Sequence, residues 1–289
     1  PALMVFGLEH RRQRVSYQPD PLQVSNGLSL AASNVVPYAF HDRASALFAE
    51  LSIPVHTKLQ LDLAARVDRN AGTHRSNISP HFGLKWTPDE HFMLRASIGK
   101  GYRVPSAHDI RSPFHYTTGQ RTVNITNPPP ALLPCTGTPP TLCVLQYGTA
   151  NNPKLRPEIS RSITSGIVWA PNPTFNLAVD YYRINREHEF GIADPAKYPL
   201  LFPEGLIRSA NGVLYRANLF FSNIGRTDAR GWELDANYLW KTESVGRFRF
   251  RTGIHYLERQ LRSQITDPGN VIDFSGYDIP KLTVLNRFE

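Results

Sequence analysis

Three groupings of side chains in this 289-residue sequence have the types and spacing to invite a chemical reading. Arg186-Glu187-His188-Glu189 sets an imidazole between two carboxylates, as one half of a helical zinc-protease motif does. That chemistry needs a second His at helical spacing, and none follows, so these charges read as the solvated tip of a strand. Cys135 and Cys143 lie eight apart in a Pro-rich stretch that runs from Pro128-Pro129-Pro130 to Pro139-Pro140. In an oxidising compartment they are expected to close a small loop as a disulfide; the alternative is two unrelated thiols. A zinc site is not expected, because no second Cys or His pair completes a tetrahedral set at the usual spacing. Arg247, Arg249 and Arg251 occupy alternate positions, which in a strand places three guanidinium groups on one face. Such a stripe either attracts an anionic ligand or pairs with carboxylates such as Asp235 on an adjacent strand. Gly99-Lys100-Gly101 lacks the flanking residues of a phosphate-binding loop. With ten scattered His and no acid–base pair or nucleophile–base set, the sequence points to no enzyme and calls for no cofactor or bound metal.

Composition narrows the scaffold that holds these residues. Charged residues make up 19% and the mean hydropathy is -0.33, too polar for a bundle of membrane helices and too apolar for disorder. No run approaches the roughly 18 uncharged apolar residues of a spanning helix, so a membrane protein of this composition must cross as a closed barrel. The net charge of +8 is spread along the chain instead of gathering on one patch, which argues against a nucleic-acid partner. Pro1 opens the chain without an initiator Met or a leader, and alternation is still running at Lys281-Leu282-Thr283-Val284-Leu285. Residues 1–289 are therefore expected to be a piece of one longer barrel domain.

Period-two alternation is the dominant signal. Leu59, Leu61, Leu63, Ala65 and Val67 alternate with Gln60, Asp62, Ala64, Arg66 and Asp68, and Phe248, Phe250, Thr252, Ile254 and Tyr256 alternate with Arg247, Arg249, Arg251, Gly253 and His255. The pattern predicts about ten strands, near 2–17, 44–53, 58–68, 78–87, 91–103, 159–169, 174–187, 216–240, 246–260 and 279–289. The connections between them alternate between long and short without exception, the longest being 104–158, which has no regular pattern of its own. A soluble sandwich has no reason to obey that parity, whereas an outer-membrane barrel has short periplasmic turns and long outer loops. The predicted fold is thus an all-β antiparallel transmembrane meander, with 104–158 as a large extracellular loop. Trp86, Trp169, Trp232 and Trp240 fall beside turns or toward strand ends, as an interfacial girdle requires. For the turn at 241–245, setting Trp240 opposite Gly246 brings Tyr238 to Phe248, Asn237 to Arg249 and Asp235 to Arg251, apolar to apolar and acid to base.

Three segments resemble a known family. Leu94-Arg95-Ala96-Ser97-Ile98-Gly99-Lys100-Gly101-Tyr102-Arg103-Val104-Pro105-Ser106 resembles "LRASYGKGFRAPS", and Asn151-Asn152-Pro153-Lys154-Leu155-Arg156-Pro157-Glu158 resembles "GNPDLKPE". Ser222-Asn223-Ile224-Gly225-Arg226-Thr227-Asp228-Ala229-Arg230-Gly231-Trp232-Glu233-Leu234 resembles "NLGSARTRGLEL". These belong, in this order, to the C-terminal barrel of TonB-dependent outer-membrane receptors. By their own chemistry they are architectural: glycines near a strand end permit a bend or close approach, the prolines keep the chain extended, and Gly231 suits a bulge.

The resemblance implies a plugged barrel of about 22 strands in the bacterial outer membrane. It implies a TonB-type energy transducer acting through an N-terminal part missing here, surrounding outer-membrane lipid, and a scarce nutrient such as a ferric siderophore or similar metal chelate as ligand. Ligand contacts are then expected from the long loop, where Arg111, His115, Tyr116 and Tyr147 offer charge, hydrogen bonds and stacking, and from the inward stripe of Arg247, Arg249 and Arg251, which otherwise meets carboxylates or the plug. A passive porin-like channel, a barrel enzyme with its catalytic set at the rim, and a soluble β-sandwich are the competing readings.

Overall fold

The computed structural model describes residues 1–21, 37–71, 75–106, 109–110, 122–138, 141–150, 152–192, 205–264, 267–275 and 281–288. Its strands, in chain order, are β1 (Leu3–Tyr17), β2 (Tyr38–His56), β3 (Leu59–Asn70), β4 (Arg75–Asp89), β5 (Phe92–Arg103), β6 (Thr122–Thr126), β7 (Gly137–Thr138), β8 (Leu142–Ala150), β9 (Glu158–Asn172), β10 (Phe175–Ile192), β11 (Leu206–Arg208), β12 (Leu214–Thr242), β13 (Gly246–Gln264), β14 (Asp267–Asp273) and β15 (Leu282–Phe288). The main sheet runs β1-β2-β3-β4-β5-β9-β10-β12-β13, each pair antiparallel, and β14 and β15 share the far edge of β13. Counted as staves of one wall, these are the ten that alternation predicts. Turns of two or three residues at 57–58, 90–91, 173–174 and 243–245 close one rim, and the other rim carries the longer connections, so the parity of loop lengths holds from β1 to β13; the exception is the step from β13 to β14, whose ends are separated by two residues.

Register turns the sequence pattern into two surfaces. Trp86, Leu94, Ile167, Val179, Leu234, Ile254 and Val284 lie directly across from one another on successive strands, an apolar row that crosses β4 to β15. One residue along, on the opposite face, Lys85, Arg95, Gly166, Asp180, Glu233 and His255 form a polar row through the same strands. The apolar face is exposed, with all four Trp among its large side chains. Trp240 meets Phe248 at a tilt and Tyr238 stacks on Phe250 near the short turns, while Trp232 packs on Tyr181 about 26 Å further up the strand, at ~3.3 Å per residue. Two aromatic belts thus bound an aliphatic band, as a membrane barrel requires.

The polar face is stitched by charged pairs. Arg95 donates to both oxygens of Asp180, at 2.8 and 2.5 Å, reaching across β9. The crossing passes over Gly166, where a Cβ would stand 1.9 Å from the Asp180 oxygen, so only glycine leaves room. Arg66 similarly joins Glu9 of β1 to Asp68 of its own strand. Gly231 sits at a bulge between β12 and β13, as its place in a long strand suggests.

Three expectations need correction. The β12–β13 hairpin is shifted by two residues: Thr242 faces Gly246, Trp240 faces Phe248, Asn237 faces Arg251, and Asp235 faces Gly253 instead of Arg251. The cause lies in the turn. Gly246 adopts φ 105°, and the Thr242 hydroxyl donates to the Gly246 carbonyl and accepts from the Val245 N–H, closing a three-residue loop that alternation cannot reveal. A shift of two preserves which face each residue takes, so the surfaces survive the error. Strand ends also move: β2 starts at Tyr38 and β10 reaches Ile192, because backbone pairing continues above the lipid band, where nothing forces alternation. Finally, 104–158 contains β6, β7 and β8 and a short 3-10 turn at Pro130–Leu132.

The register is open to direct test. In the intact receptor, Asn237→Cys with Arg251→Cys is expected to cross-link under mild oxidation, whereas Asp235→Cys with Arg251→Cys is not; the reverse pattern, read by mass spectrometry, would restore the alternative register.

Candidate functional site

The one packed core among the described residues lies on neither face of the wall. It sits at the long-loop rim, where Leu132, Cys143, Leu145, Leu214, Ala217 and Leu219 are almost wholly buried together. The cause is the length of β12. Its 29 residues are far more than the roughly 9–11 that cross a bilayer, so the first third rises clear of the lipid and offers both its edges. β11 pairs with it antiparallel and β8 parallel, from Arg216↔Gln146 to Phe220↔Ala150, and β6 and β7 complete a small second sheet on β8.

Several devices lock this platform. A disulfide joins Cys135 to Cys143, with Cα atoms 5.6 Å apart. The Leu214 N–H donates to the Pro134 carbonyl and the Leu214 carbonyl accepts from Thr136, binding the disulfide loop to β12. Arg208 donates to the carbonyls of Ala131, Pro134 and Gly212 at 2.9, 3.2 and 2.9 Å, satisfying acceptors that the irregular Pro-rich chain cannot pair with itself.

The three motifs singled out by sequence meet beneath this platform. Asn223 donates to the carbonyls of Arg156 and His188 and accepts from the Arg156 N–H, all at 2.7–2.8 Å. Asn152 donates to the Phe221 carbonyl at 2.7 Å and accepts from the Lys154 N–H, while Leu155 between them is buried. Glu158 accepts from Arg103 at 3.0 Å and from the Phe190 N–H at 2.8 Å, and the Arg103 guanidinium lies over the Phe190 ring. The motifs therefore fasten the returning chain of the large loop to β10 and β12. Their roles were not legible from the sequence, although their residues were; Arg208 gave no signal at all.

The structure separates the residues read as ligand contacts. Arg111, His115 and Tyr116 lie outside the described residues. Tyr147 is on β8, opposite Ala217 of β12, inside the platform. Arg247, Arg249 and Arg251 are on the polar face near the short-turn rim, at the other end of β13 from the loops, with Lys241, Leu239 and Asn237 as their cross-strand neighbours. Asp235 is therefore not directly opposite any of the three, standing diagonal to Arg251 on the same face. Among the described residues no three His, Cys, Asp or Glu side chains are grouped to hold a metal ion.

The model of the family described as "TonB dependent receptor-like, beta-barrel" matches residues 3–284. The chain belongs to that family. As a TonB-dependent receptor barrel it lies in the bacterial outer membrane, with the short turns toward the periplasm and the platform outside. Among solved structures, a ferric enterobactin receptor (PfeA) from Pseudomonas aeruginosa superimposes with TM-score 0.65 and 18% identity, over 99% of this chain and 36% of that one. The siderophore receptor PirA from Acinetobacter baumannii gives 0.56 and 18%, over 89% and 34%. The outer membrane transporter YddB from Escherichia coli gives 0.56 and 12%, over 88% and 31%. The chain spans about a third of the length of the receptors it matches. No curated protein matches the sequence.

If the disulfide anchors the platform, Cys135→Ser with Cys143→Ser should weaken it by about 2–3 kcal/mol in chain-entropy terms. Hydrogen exchange is then expected to quicken at residues 142–150 and 214–219 and to stay unchanged in β3–β5; uniform protection in both regions would contradict the anchoring role.

Proposed function

We propose that this barrel is part of a receptor for TonB-dependent active uptake of a ferric siderophore or similar metal chelate. The observation that carries the reading is the platform: an ordered, disulfide-locked structure built on an overlong strand at the outer rim of a barrel whose inner wall is polar. A passive pore gains nothing from an outer structure of this cost in ordering, whereas a capture surface must be held in place before ligand arrives. The solved relatives support the chelate class, since two are a siderophore receptor and a ferric enterobactin receptor.

In this reading the outer loop makes the first contact through Arg111, His115, Tyr116 and Tyr147, by charge, hydrogen bonding and stacking. Arg247, Arg249 and Arg251 act later and lower, as a positive inner wall near the periplasmic exit that concentrates an anionic chelate or holds the plug. Energy comes from a TonB-type transducer through the N-terminal part of the intact receptor. No chemical step on the ligand is required, and none of the described residues is assigned one.

Deleting the receptor gene is expected to abolish uptake of radiolabelled iron from at least one siderophore of a panel, and loss of TonB to abolish it equally. Restoring the gene with Arg111→Ala, His115→Ala and Tyr116→Ala together is expected to leave affinity lower by about tenfold or more, as for a cluster of contact residues. Uptake that survives without TonB, or that the deletion leaves untouched for every chelate, would overturn the proposal in favour of a passive channel or another cargo.

A further inference from the structure

The lipid-facing side of β1–β5 is not a uniform greasy surface. It contains a groove of about 670 Å³, within the size range of small-molecule sites and lined overwhelmingly by carbon. Leu51, Leu63, Phe82 and Ile98 stand across from one another on β2 to β5 and form one wall. One row higher, Ala49, Ala65 and Pro80 are too small to fill the space, and the row then ends in two cations, Lys100 and Arg161.

Lys100 and Arg161 are direct cross-strand partners on β5 and β9, with side chains on the same face. Like charges at directly opposed positions repel, and at the edge of the hydrocarbon the surrounding dielectric screens that repulsion less than water does. The backbone beside them is also opened. Pro80 has no N–H to give, and the β4–β5 ladder stops at His81↔Gly99, one residue short of Pro80. The next charged cluster along the outer face is already internally balanced, since Asp228 holds both Arg183 and Arg259 and Glu258 holds Arg230.

Depth completes the picture. Lys100 lies nine residues beyond the periplasmic turn at 90–91, and Trp232 of the upper aromatic belt lies eleven before the turn at 243–245. The cation pair therefore stands at the head-group level of the outer leaflet, and the groove runs below it into the hydrocarbon.

We propose that this groove holds one phosphorylated lipid of the outer leaflet, an acyl chain lying along Ala49, Ala65 and Pro80 and a phosphate seated between Lys100 and Arg161. A phosphate monoester there replaces the repulsion by charge-assisted hydrogen bonds from both partners. A zwitterionic lipid would bring its own ammonium group to a doubly cationic rim, and a second protein surface would have to insert an apolar ridge and an acid at lipid depth. The inference rests on the orientation of the barrel and not on the identity of its cargo.

The test uses the intact receptor in phosphatidylcholine nanodiscs doped with diphosphorylated lipid A or with its dephosphorylated form, and counts retained lipid by native mass spectrometry. Retention of the phosphorylated form is expected to exceed the other by about tenfold, each cation at the surface contributing a few-fold. Lys100→Ser with Arg161→Ser should remove that preference, and Lys100→Arg with Arg161→Lys should keep it. Ala65→Phe, which fills the groove, should lower retention of both lipids. Heat-modifiable electrophoretic mobility confirms that each variant is a folded barrel; the charge variants, which leave the wall intact, decide the matter if Ala65→Phe fails to fold. Equal retention of the two lipids, an unchanged preference in the double Ser variant, or receptor dimers cross-linked through Lys100 in place of bound lipid would overturn the proposal.

Discussion

A strand that crosses lipid has to serve two solvents at once while leaving no backbone group unpaired. That constraint organises this molecule. Between paired strands of the wall the backbone N–H and C=O groups are taken up by the ladder, so the side chains decide which face meets hydrocarbon and which meets the hydrated interior. The rows through Leu234 and Glu233 are adjacent in sequence and opposite in environment. Burial in the ordinary sense contributes little to the wall, whose apolar face is exposed until the membrane covers it.

The same constraint explains why the one compact core among the described residues is found where lipid ends. Above the membrane, the extension of β12 has edges that water could solvate, and the chain uses them differently: β8 and β11 take both, and a small apolar cluster forms with Leu214 and Leu219 on one side and the disulfide loop on the other. Below that cluster, Asn223 and Glu158 tie the loop's return to the barrel through backbone groups, which hold whatever side chains the outer loop displays. A surface fixed in this way can differ in its exposed residues without disturbing the staves beneath, which is how loops borne on rigid scaffolds commonly carry function.

Legibility in the sequence followed the same division. Wherever lipid imposes alternation, the strands, their faces and the parity of the turns could be read directly, and the ten staves emerged near their positions. Alternation has period two, so it could not distinguish Trp240 opposite Gly246 from Trp240 opposite Phe248; the Thr242 and Gly246 geometry that decides between them is local turn chemistry. Above the membrane the pattern lapses, and β6 to β8 were invisible because their buried residues are few and interrupted by proline. Asn152, Asn223 and Glu158 stood inside segments that resemble the family, yet their partners lie up to 69 residues away, and no spacing rule announces such contacts. The Arg247 stripe was found correctly on the polar face, but the residues directly opposite it, Lys241, Leu239 and Asn237, were not foreseen, because they follow from the turn.

The most direct test of the two-faced wall is a nitroxide scan of Glu233, Leu234, Asp235 and Ala236 in the intact receptor in bilayers. Collision rates with oxygen, which dissolves in hydrocarbon, should be high at 234 and 236 and low at 233 and 235. Uniform rates along all four positions, or the opposite alternation, would contradict the assignment of faces from which the orientation of every other element follows.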